Sequence, residues 1–373
     1  MTELTQEEDD LYRRVAEILE TARSQVARTV NTAMVHAYWH VGREIVEVEQ
    51  RGEVRASYGE QLITNLATRL SPRFGRGMSV GTLRRIRRFY LTYPNGTTIP
   101  RDIAGLEIRS TVLTEFRSGD PVLFPTSLSW SHYMVLLRVQ DDHARAFYEI
   151  EAVKESWSIR ELERQIATLL FERLAKSRQK EEVLALAKQG QTVTGPKDVL
   201  KDPFVLEFLE LHERSAWHER DLEQAIIDKL ESFLLELGKG FCFVARQKRI
   251  TVGGDHFYVD LVFYNRLLRC FVLIDLKLGK LTHQDLGQMQ MYVNYFDHYQ
   301  REEYEAPTVG IVLCSDKNDA MVKITLPADN QQIHAGRYQL YLPTEDELRK
   351  ELERDREEAE RTLHLTASET DQG

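Results

Sequence analysis

The sequence predicts a mostly α-helical N-terminal half and a C-terminal α/β half, in which helices pack on a mixed sheet. Apolar residues recur at helical spacing through most of the chain up to residue 175. From Asp221 onward, a helical pattern is followed by three β-rich runs, a second helical pattern and another apolar strand. This α-β-β-β-α-β order is typical of helices layered on one sheet.

The N-terminal half begins with helical patterns over residues 7–52 and Tyr58–Leu70, the second ended by Ser71-Pro72. A turn over Arg73–Met78 precedes Ser79, which is the predicted N-cap of a helix through about Tyr93. The turn-rich stretch from Pro94 to about Thr126 is compatible with a wing hairpin, a connection or a variable loop. Three more helices are predicted at Ser129–Leu137, Asp141–Lys154 and Ser158–Ala175.

The C-terminal half starts with a predicted helix whose apolar stripe ends at Gly238. Turn signals at Gly253-Gly254 and Asn265-Arg266 separate the β-rich runs. The predicted elements are a helix over Asp221–Leu237, strands over Phe241–Ile250, His256–Tyr264 and Arg269–Leu276, a helix over Gln284–Tyr299, a strand over Thr308–Cys314, a short helical segment over Asn318–Ile324 and a last strand over Tyr338–Leu342.

Four segments follow from these patterns. We expect a helical domain over 1–180, a polar linker over 181–202, an α/β domain over 203–345, and a charged helix with a disordered tail over 346–373.

Composition places the chain among soluble globular proteins, with 42% hydrophobic and 29% charged residues. No apolar run approaches the ~20 residues of a membrane span. The acidic N-terminus lacks an apolar signal-peptide region. The three cysteines lie in apolar, strand-like runs, so we expect buried thiols and a cytoplasmic location.

Arginine is concentrated in one part of an otherwise acidic chain. The net charge is −10, yet residues 61–101 contain eight arginines and no Asp or Glu. Those that we consider for DNA contact are Arg73, Arg76, Arg84, Arg85, Arg87 and Arg88. A short helix, a turn and a basic amphipathic helix resemble a helix-turn-helix or winged-helix module. A solvated face on a structural helix is the alternative.

Two carboxylates and a lysine form the strongest functional signal. Asp260 interrupts the apolar run Phe257–Tyr264, where a charge is costly unless it is paired or metal-bound. Asp275 and Lys277 are two residues apart in the next strand and therefore share one face. A hairpin turned at Asn265-Arg266 brings the two acids together at one end of the sheet. Two carboxylates and an ammonium suit Mg²⁺-assisted phosphodiester hydrolysis.

An acid on a strand, a hairpin and then Asp275-Leu-Lys277 resemble the PD-(D/E)XK nuclease superfamily, with its restriction-endonuclease-like fold. Val259 stands where that pattern often has Pro, and Asp275 where Glu is commoner. The runs Phe233–Phe241, Arg246-Gln247 and Gly287–Met289 resemble the bacterial YhcG-like family. Four further motifs resemble that family's N-terminal winged-helix DNA-binding domain: Trp39–Gly42, Tyr58-Gly59, Phe74–Gly77 and Trp130–Tyr133.

The resemblance implies a metal-dependent nuclease that uses Mg²⁺ or Mn²⁺, with Asp260, Asp275 and Lys277 as its catalytic core. It also implies a further acid from the first core helix that binds the metal together with Asp260 and Asp275, for which we favour Glu223 over Glu231. Gln288 matches a position that supports the site or touches the substrate. For Gln247, site and structural roles stay open, and His256 and His283 are expected to be incidental.

The resemblance further implies DNA as the partner, a role in bacterial defence or mobile-element control, and protein partners of such a system. Double-strand cleavage with one site per chain favours a homodimer. Two alternatives stay open: a non-catalytic DNA-binding or scaffold protein on a nuclease fold, and an RNA-directed nuclease.

Overall fold

The computed structural model describes residues 30–50, 56–97, 99–100, 124–175, 180–201, 203–211, 218–327 and 329–341. The chain divides into two compact units. The first unit comprises Met1–Ile166 with Leu184–Gly190, and the second comprises Ala167–Val183 with Gln191–Gly373. No helix in the described ranges is both long and apolar enough to cross a membrane.

The described secondary structure of the first unit is helical. The helices up to residue 189 are α1 (30–50), α2 (Ala56–Phe74), α3 (Val80–Thr92), α4 (Trp130–Leu136), α5 (Asp142–Lys154), α6 (Ile159–Ala167), α7 (Leu170–Ala175) and α8 (Lys180–Gln189). Of these, α7 belongs to the second unit, and α8 crosses the boundary between the units.

Helix α3 forms where its cap and its apolar spacing predict it. The Ser79 hydroxyl accepts a hydrogen bond from the Thr82 N–H at 3.3 Å, which satisfies one of the free donors of the first turn. Leu83, Ile86 and Phe89 are fully buried along one face. Their burial stabilises the unit by roughly 1.5–3 kcal/mol for each side chain.

Two predicted boundaries in this half were wrong. Helix α2 does not end at Ser71-Pro72 but runs through Pro72 to Phe74. The helix predicted over Ser158–Ala175 is two helices, because Leu169 takes a left-handed φ of 49° between α6 and α7. Much of the segment considered for a wing lies in residues 101–123, outside the described residues, so the winged-helix form stays a prediction.

The second unit is a six-stranded mixed sheet with helices on both faces. Its further elements are β1 (Phe204–Val205), α9 (Glu219–Asp228), α10 (Leu230–Leu237), β2 (Phe241–Val252), β3 (Asp255–Asn265), β4 (Cys270–Lys280), α11 (His283–Tyr299), β5 (Val309–Asp316), α12 (Asp319–Thr325) and β6 (Ile333–Gln339). The strand order is β1-β6-β5-β4-β3-β2. Strands β2, β3 and β4 pair antiparallel, whereas β4, β5, β6 and β1 pair parallel.

Alternate residues of β4 face opposite sides of the sheet. Ile274 and Leu276 pack in a core cluster with residues of α9 and α10, including Ile226 and Phe233. Leu273 packs in the other cluster, with residues of α11 such as Met289. This period of two places Asp275 and Lys277 on the α11 side of the sheet.

The predicted α-β-β-β-α-β order is confirmed, with three differences. The helix predicted over Asp221–Leu237 breaks at Lys229 into α9 and α10, which bury their apolar faces in the same cluster. The last strand, β6, begins at Ile333 rather than Tyr338. Strand β1 was not predicted, because two residues are too few to show a period.

The expected segment boundaries stay predictions. The linker expected over 181–202 contains most of α8 and a short 3-10 turn at Pro196–Asp198. The helix and tail expected over 346–373 lie outside the described residues.

Candidate active site

Asp260 lies where strands β3 and β4 separate. The paired residues run from Asn265 opposite Cys270 to Leu261 opposite Ile274. Asp260 is the next residue of β3, just beyond the last pair. The Asp260 Oδ2 atom then accepts a hydrogen bond from the Leu276 backbone N–H at 2.8 Å. The carboxylate therefore serves as an acceptor for β4 where the ladder has ended.

Asp275 and Lys277 form an ion pair on β4. Lys277 Nζ lies 2.9 Å from Asp275 Oδ2 and 3.7 Å from Glu219 Oε2. Asp275 is only 2% exposed. Apart from this ion pair, its Oδ2 atom has no hydrogen-bond donor of good geometry among the described residues. The site thus contains a buried carboxylate oxygen with spare capacity to accept.

Glu223 is the acid that α9 brings to this place. It is 3% exposed, and its two oxygens each accept a hydrogen bond, Oε1 from Arg246 Nε at 2.8 Å and Oε2 from Gln247 Nε2 at 2.6 Å. The same Gln247 nitrogen donates to Asp260 Oδ1 at 2.9 Å. Glu231 lies on α10, where it is exposed.

Gln288 projects from α11 and belongs to a second chain of hydrogen bonds. Its amide donates to the Tyr292 hydroxyl. That hydroxyl donates to the Tyr258 carbonyl oxygen at 2.9 Å, which links α11 to β3.

Most of these side chains meet at one cavity of about 380 Å³, which neither Arg246 nor Glu231 lines. Its lining residues are Glu219, Arg220, Glu223, Gln247, His256, Phe257, Tyr258, Asp260, Asp275, Lys277, Gln288 and Tyr292. The structure thus brings together the five residues expected at the site, and their roles stay predictions.

Burial and the charge of neighbouring carboxylates disfavour the ionised state of the two aspartates. Desolvation, followed by the charge of Asp260, raises the pKa of Asp275 to about 7. Desolvation also raises the pKa of Asp260, against the hydrogen bond from Leu276 and the charge of Lys277. For Lys277, desolvation lowers the pKa, but the carboxylates led by Asp275 outweigh it and raise the pKa to about 12.

Two carboxylates that resist ionisation side by side suit a divalent cation, which would favour their charged forms. Asp260 and Asp275 offer the one or two carboxylates that Mg²⁺ takes beside water and phosphate oxygens. Among the residues that the structure describes, no group of three or more His, Cys, Asp or Glu side chains is arranged to hold a metal.

The arginines of the first unit differ in their surroundings. Arg84 forms an ion pair with Glu60, and Arg87 Nε lies 2.6 Å from Glu49 Oε2. Arg85 and Arg88 are exposed on α3. In the part of the chain that the structure describes, no ion pair involves these two arginines.

Two further arginines precede α3. The Arg73 guanidinium lies 5.2 Å from the Phe74 ring centroid, within reach of a cation-π contact. Arg76 lies in the short 3-10 helix Gly75–Met78. DNA contact by any of these arginines stays a prediction.

Sequence reasoning missed several residues of the cavity. Glu219 and Tyr292 each lie four residues from an expected site residue on the same helix, so helical spacing was a signal for both. His256, expected to be incidental, lines the cavity, and its Nδ1 lies 3.0 Å from the Thr251 hydroxyl. The bridging position of Gln247 had no comparable signal.

A mixed sheet between helices, with two aspartates and a lysine in one cavity, defines the PD-(D/E)XK nuclease class. Residues 197–353 match the family described as "YhcG PDDEXK nuclease domain", and residues 14–173 match the "DUF1016 N-terminal domain". The chain is 40% identical over 349 residues to "Putative nuclease YhcG" of Escherichia coli (strain K12), covering 91% of this chain and 92% of that protein. The chain therefore belongs to the YhcG PDDEXK nuclease-domain family.

Two solved structures show a weaker similarity. One is described as "crystal structure of a repair endonuclease from Pyrococcus abyssi", with 19% identity, 35% of this chain and 50% of that chain covered, and a TM-score of 0.24. The other is described as "Structure of EndoMS-dsDNA2 complex", with 17% identity, 36% and 49% covered, and a TM-score of 0.25. The matched part spans about half the length of each.

Proposed function

We propose that this protein is a metal-dependent endonuclease that hydrolyses DNA phosphodiester bonds at the cavity between α9, β3, β4 and α11. The observation that carries the proposal is the meeting of Asp260, Asp275 and Lys277 in one cavity of about 380 Å³. Membership of a nuclease-domain family supports it.

Asp260 and Asp275 would hold Mg²⁺ or Mn²⁺ through the carboxylate oxygens that face the cavity. The ion, when bound, polarises the phosphoryl group and lowers the pKa of the attacking water. The protein orients these ligands beforehand. Asp260 is fixed by hydrogen bonds to both of its oxygens, and Asp275 by its ion pair with Lys277.

Lys277 acts as a fixed positive charge. With its pKa raised to about 12, the ammonium stays protonated at neutral pH and is a poor proton acceptor. An ammonium beside the cavity stabilises the negative charge that develops on the phosphate oxygens in the transition state. Its side chain is 18% exposed, so water screens it weakly.

The helical unit would bind the DNA backbone. The exposed Arg85 and Arg88 are suited to phosphate contact, because no carboxylate among the described residues pairs with them. Such contacts give salt-dependent binding with little sequence preference. A homodimer, a role in bacterial defence and the protein partners of such a system extend the proposal by analogy with the family.

The deciding experiment is cleavage of plasmid and linear DNA in Mg²⁺ or Mn²⁺ by the purified protein. Asp275→Ala and Lys277→Ala are compared with Lys280→Ala, a control for the loss of an exposed lysine at the end of the same strand. We expect the first two variants to lose activity and the control to keep it. Activity that survives in both site variants would overturn the assignment of the site.

A parallel assay separates the alternatives. RNA of matched length and structure is offered under the same conditions. Cleavage of RNA alone would replace DNA by RNA as the substrate. Salt-sensitive DNA binding without cleavage by any variant would favour a binding protein.

A further inference from the structure

Gln247 joins two acids of the cavity through a single nitrogen atom. Its Nε2 donates to Glu223 Oε2 at 2.6 Å and to Asp260 Oδ1 at 2.9 Å. A primary amide has two N–H donors, and an ionised carboxylate only accepts. Each proton of the amide therefore has its own carboxylate, and the amide sets the separation of the two acids.

The backbone of Gln247 adopts a conformation that L-residues rarely hold. Its φ is 45°, inside the long strand β2. Glycine takes this conformation without steric cost, because it has no Cβ. A strained residue whose side chain bridges two acids of a site points to a role in that site rather than in folding.

The bridge is one link in a longer chain of hydrogen bonds. Arg246 donates to Glu223 Oε1 and to Gln224 Oε1, each at 2.8 Å. At the other end, Asp260 accepts from the Leu276 N–H at 2.8 Å. The chain ties α9 to β2, β3 and β4 at the point where β3 and β4 separate.

We propose that Gln247 is a positioning residue that orients the Asp260 carboxylate for the metal, and that Glu223 acts through Gln247 rather than as a ligand. The charge of Glu223 is already paired with the Arg246 guanidinium, and its other oxygen accepts from Gln247, whereas both hydrogen bonds that Asp260 accepts come from neutral donors. This inference rests on the proposed function for its metal.

The first test measures Mn²⁺ binding to the full chain by calorimetry. Gln247→Gly keeps the backbone conformation and removes the bridge, and we expect unchanged or higher thermal stability with a Kd weakened about 10–100-fold. Arg269→Gly is the matched control, because it relieves a similar φ of 55° at the exposed β3–β4 turn. That control should bind Mn²⁺ like the wild type.

A double-mutant cycle tests the part assigned to Glu223. Glu223→Gln should weaken Mn²⁺ binding in the wild-type background. In the Gln247→Gly background, Glu223→Gln should change the Kd for Mn²⁺ by less than about twofold, which is the ordinary error of additivity. Unaltered binding by Gln247→Gly would overturn the positioning role, and a further large loss in the double variant would overturn the indirect role of Glu223.

A second measurement needs no metal. Metal-free protein is labelled with ¹⁵N in its glutamine side chains and studied by NMR. The signals of the Gln247 side-chain amide are identified by their absence from the spectrum of Gln247→Gly. We expect both of its protons to exchange with solvent more slowly than those of Gln284, which is exposed at the start of α11. Equal exchange would disprove the bridge. Slow exchange in a protein that binds no Mn²⁺ would keep the bridge and overturn the metal site instead.

Discussion

The Asp260 carboxylate accepts a hydrogen bond from the Leu276 backbone N–H at 2.8 Å, just beyond the last paired residues of β3 and β4. A side chain thus satisfies a donor of β4 after the ladder has ended. Asp260 is both this acceptor and a proposed metal ligand. Substitutions can separate its role in stability from its role in cleavage.

Asp260→Asn keeps an oxygen that can accept the hydrogen bond from the Leu276 N–H. Asp260→Ala leaves the N–H of Leu276, a residue that is only 1% exposed, without this acceptor. We expect Asp260→Ala to lower the free energy of unfolding by about 1–3 kcal/mol. Asp260→Asn should lower it by less, because the amide oxygen replaces one of the two carboxylate oxygens that accept hydrogen bonds. Both should abolish cleavage. Urea unfolding in EDTA measures the first effect. Equal destabilisation by both variants would show that the hydrogen bond contributes little.

Asp275→Asn should stabilise the metal-free protein while abolishing cleavage. The folded pKa of Asp275, about 7, lies above its ordinary value of 3.8, so ionisation costs stability in the folded state. That cost is absent at low pH, grows as the pH rises from about 4 to 7 and is complete above 7. At pH 8 in EDTA we expect the free energy of unfolding of the variant to exceed that of the wild type by about 1–3 kcal/mol.

The same comparison at pH 5 is the control for Asp275, since the wild-type carboxyl is then mostly protonated. The advantage of the variant should shrink there. A variant that is less stable than the wild type at both pH values would mean that the ion pair with Lys277 outweighs the desolvation of Asp275.

Removal of one partner of the buried ion pair between Arg173 and Glu236 should strongly destabilise the second unit. Both side chains are fully buried, 2.6 Å apart, and Arg173 also donates to the Pro203 carbonyl oxygen at 2.9 Å. We expect Arg173→Met to cost about 3–5 kcal/mol, because it removes the cation that lies 2.6 Å from the buried Glu236 carboxylate. The double variant Arg173→Met, Glu236→Leu should cost less than Arg173→Met alone in urea unfolding. A double variant that is worse than the single one would contradict this explanation.

Arg85 and Arg88 should set the salt dependence of DNA binding. Replacing both with alanine should reduce the slope of log K against log salt concentration by about 0.9 for each phosphate that the protein no longer neutralises. Arg84→Ala is the control on the same helix, because Arg84 is already paired with Glu60. Fluorescence anisotropy of a labelled duplex at several salt concentrations measures the slopes. An unchanged slope in the double variant would place the DNA contact elsewhere.

The sequence by itself determined the layered α/β order and the three residues, Asp260, Asp275 and Lys277, that we propose as the core of the site. The alternation of apolar residues identified the strands. Asp260, in the middle of one strand, indicated a functional site, because a buried charge is costly unless it is paired or metal-bound. The period of two placed Asp275 and Lys277 on one face. Helix α3 was readable down to its cap, since the capping hydroxyl of Ser79 and the N–H that it satisfies lie within one turn.

Only the tertiary structure decided how the site is held together. The left-handed φ of Gln247, its bridge from Glu223 to Asp260, and the ion pair between Lys277 and Glu219 join residues from different elements. It also decided that α9 and α10 separate at Lys229, and that Arg84 pairs with Glu60 whereas no described residue forms an ion pair with Arg85. Spacing along the chain reports which residues share a face. Hydrogen bonds between elements depend on distances that exist only once the sheet and its helices have packed.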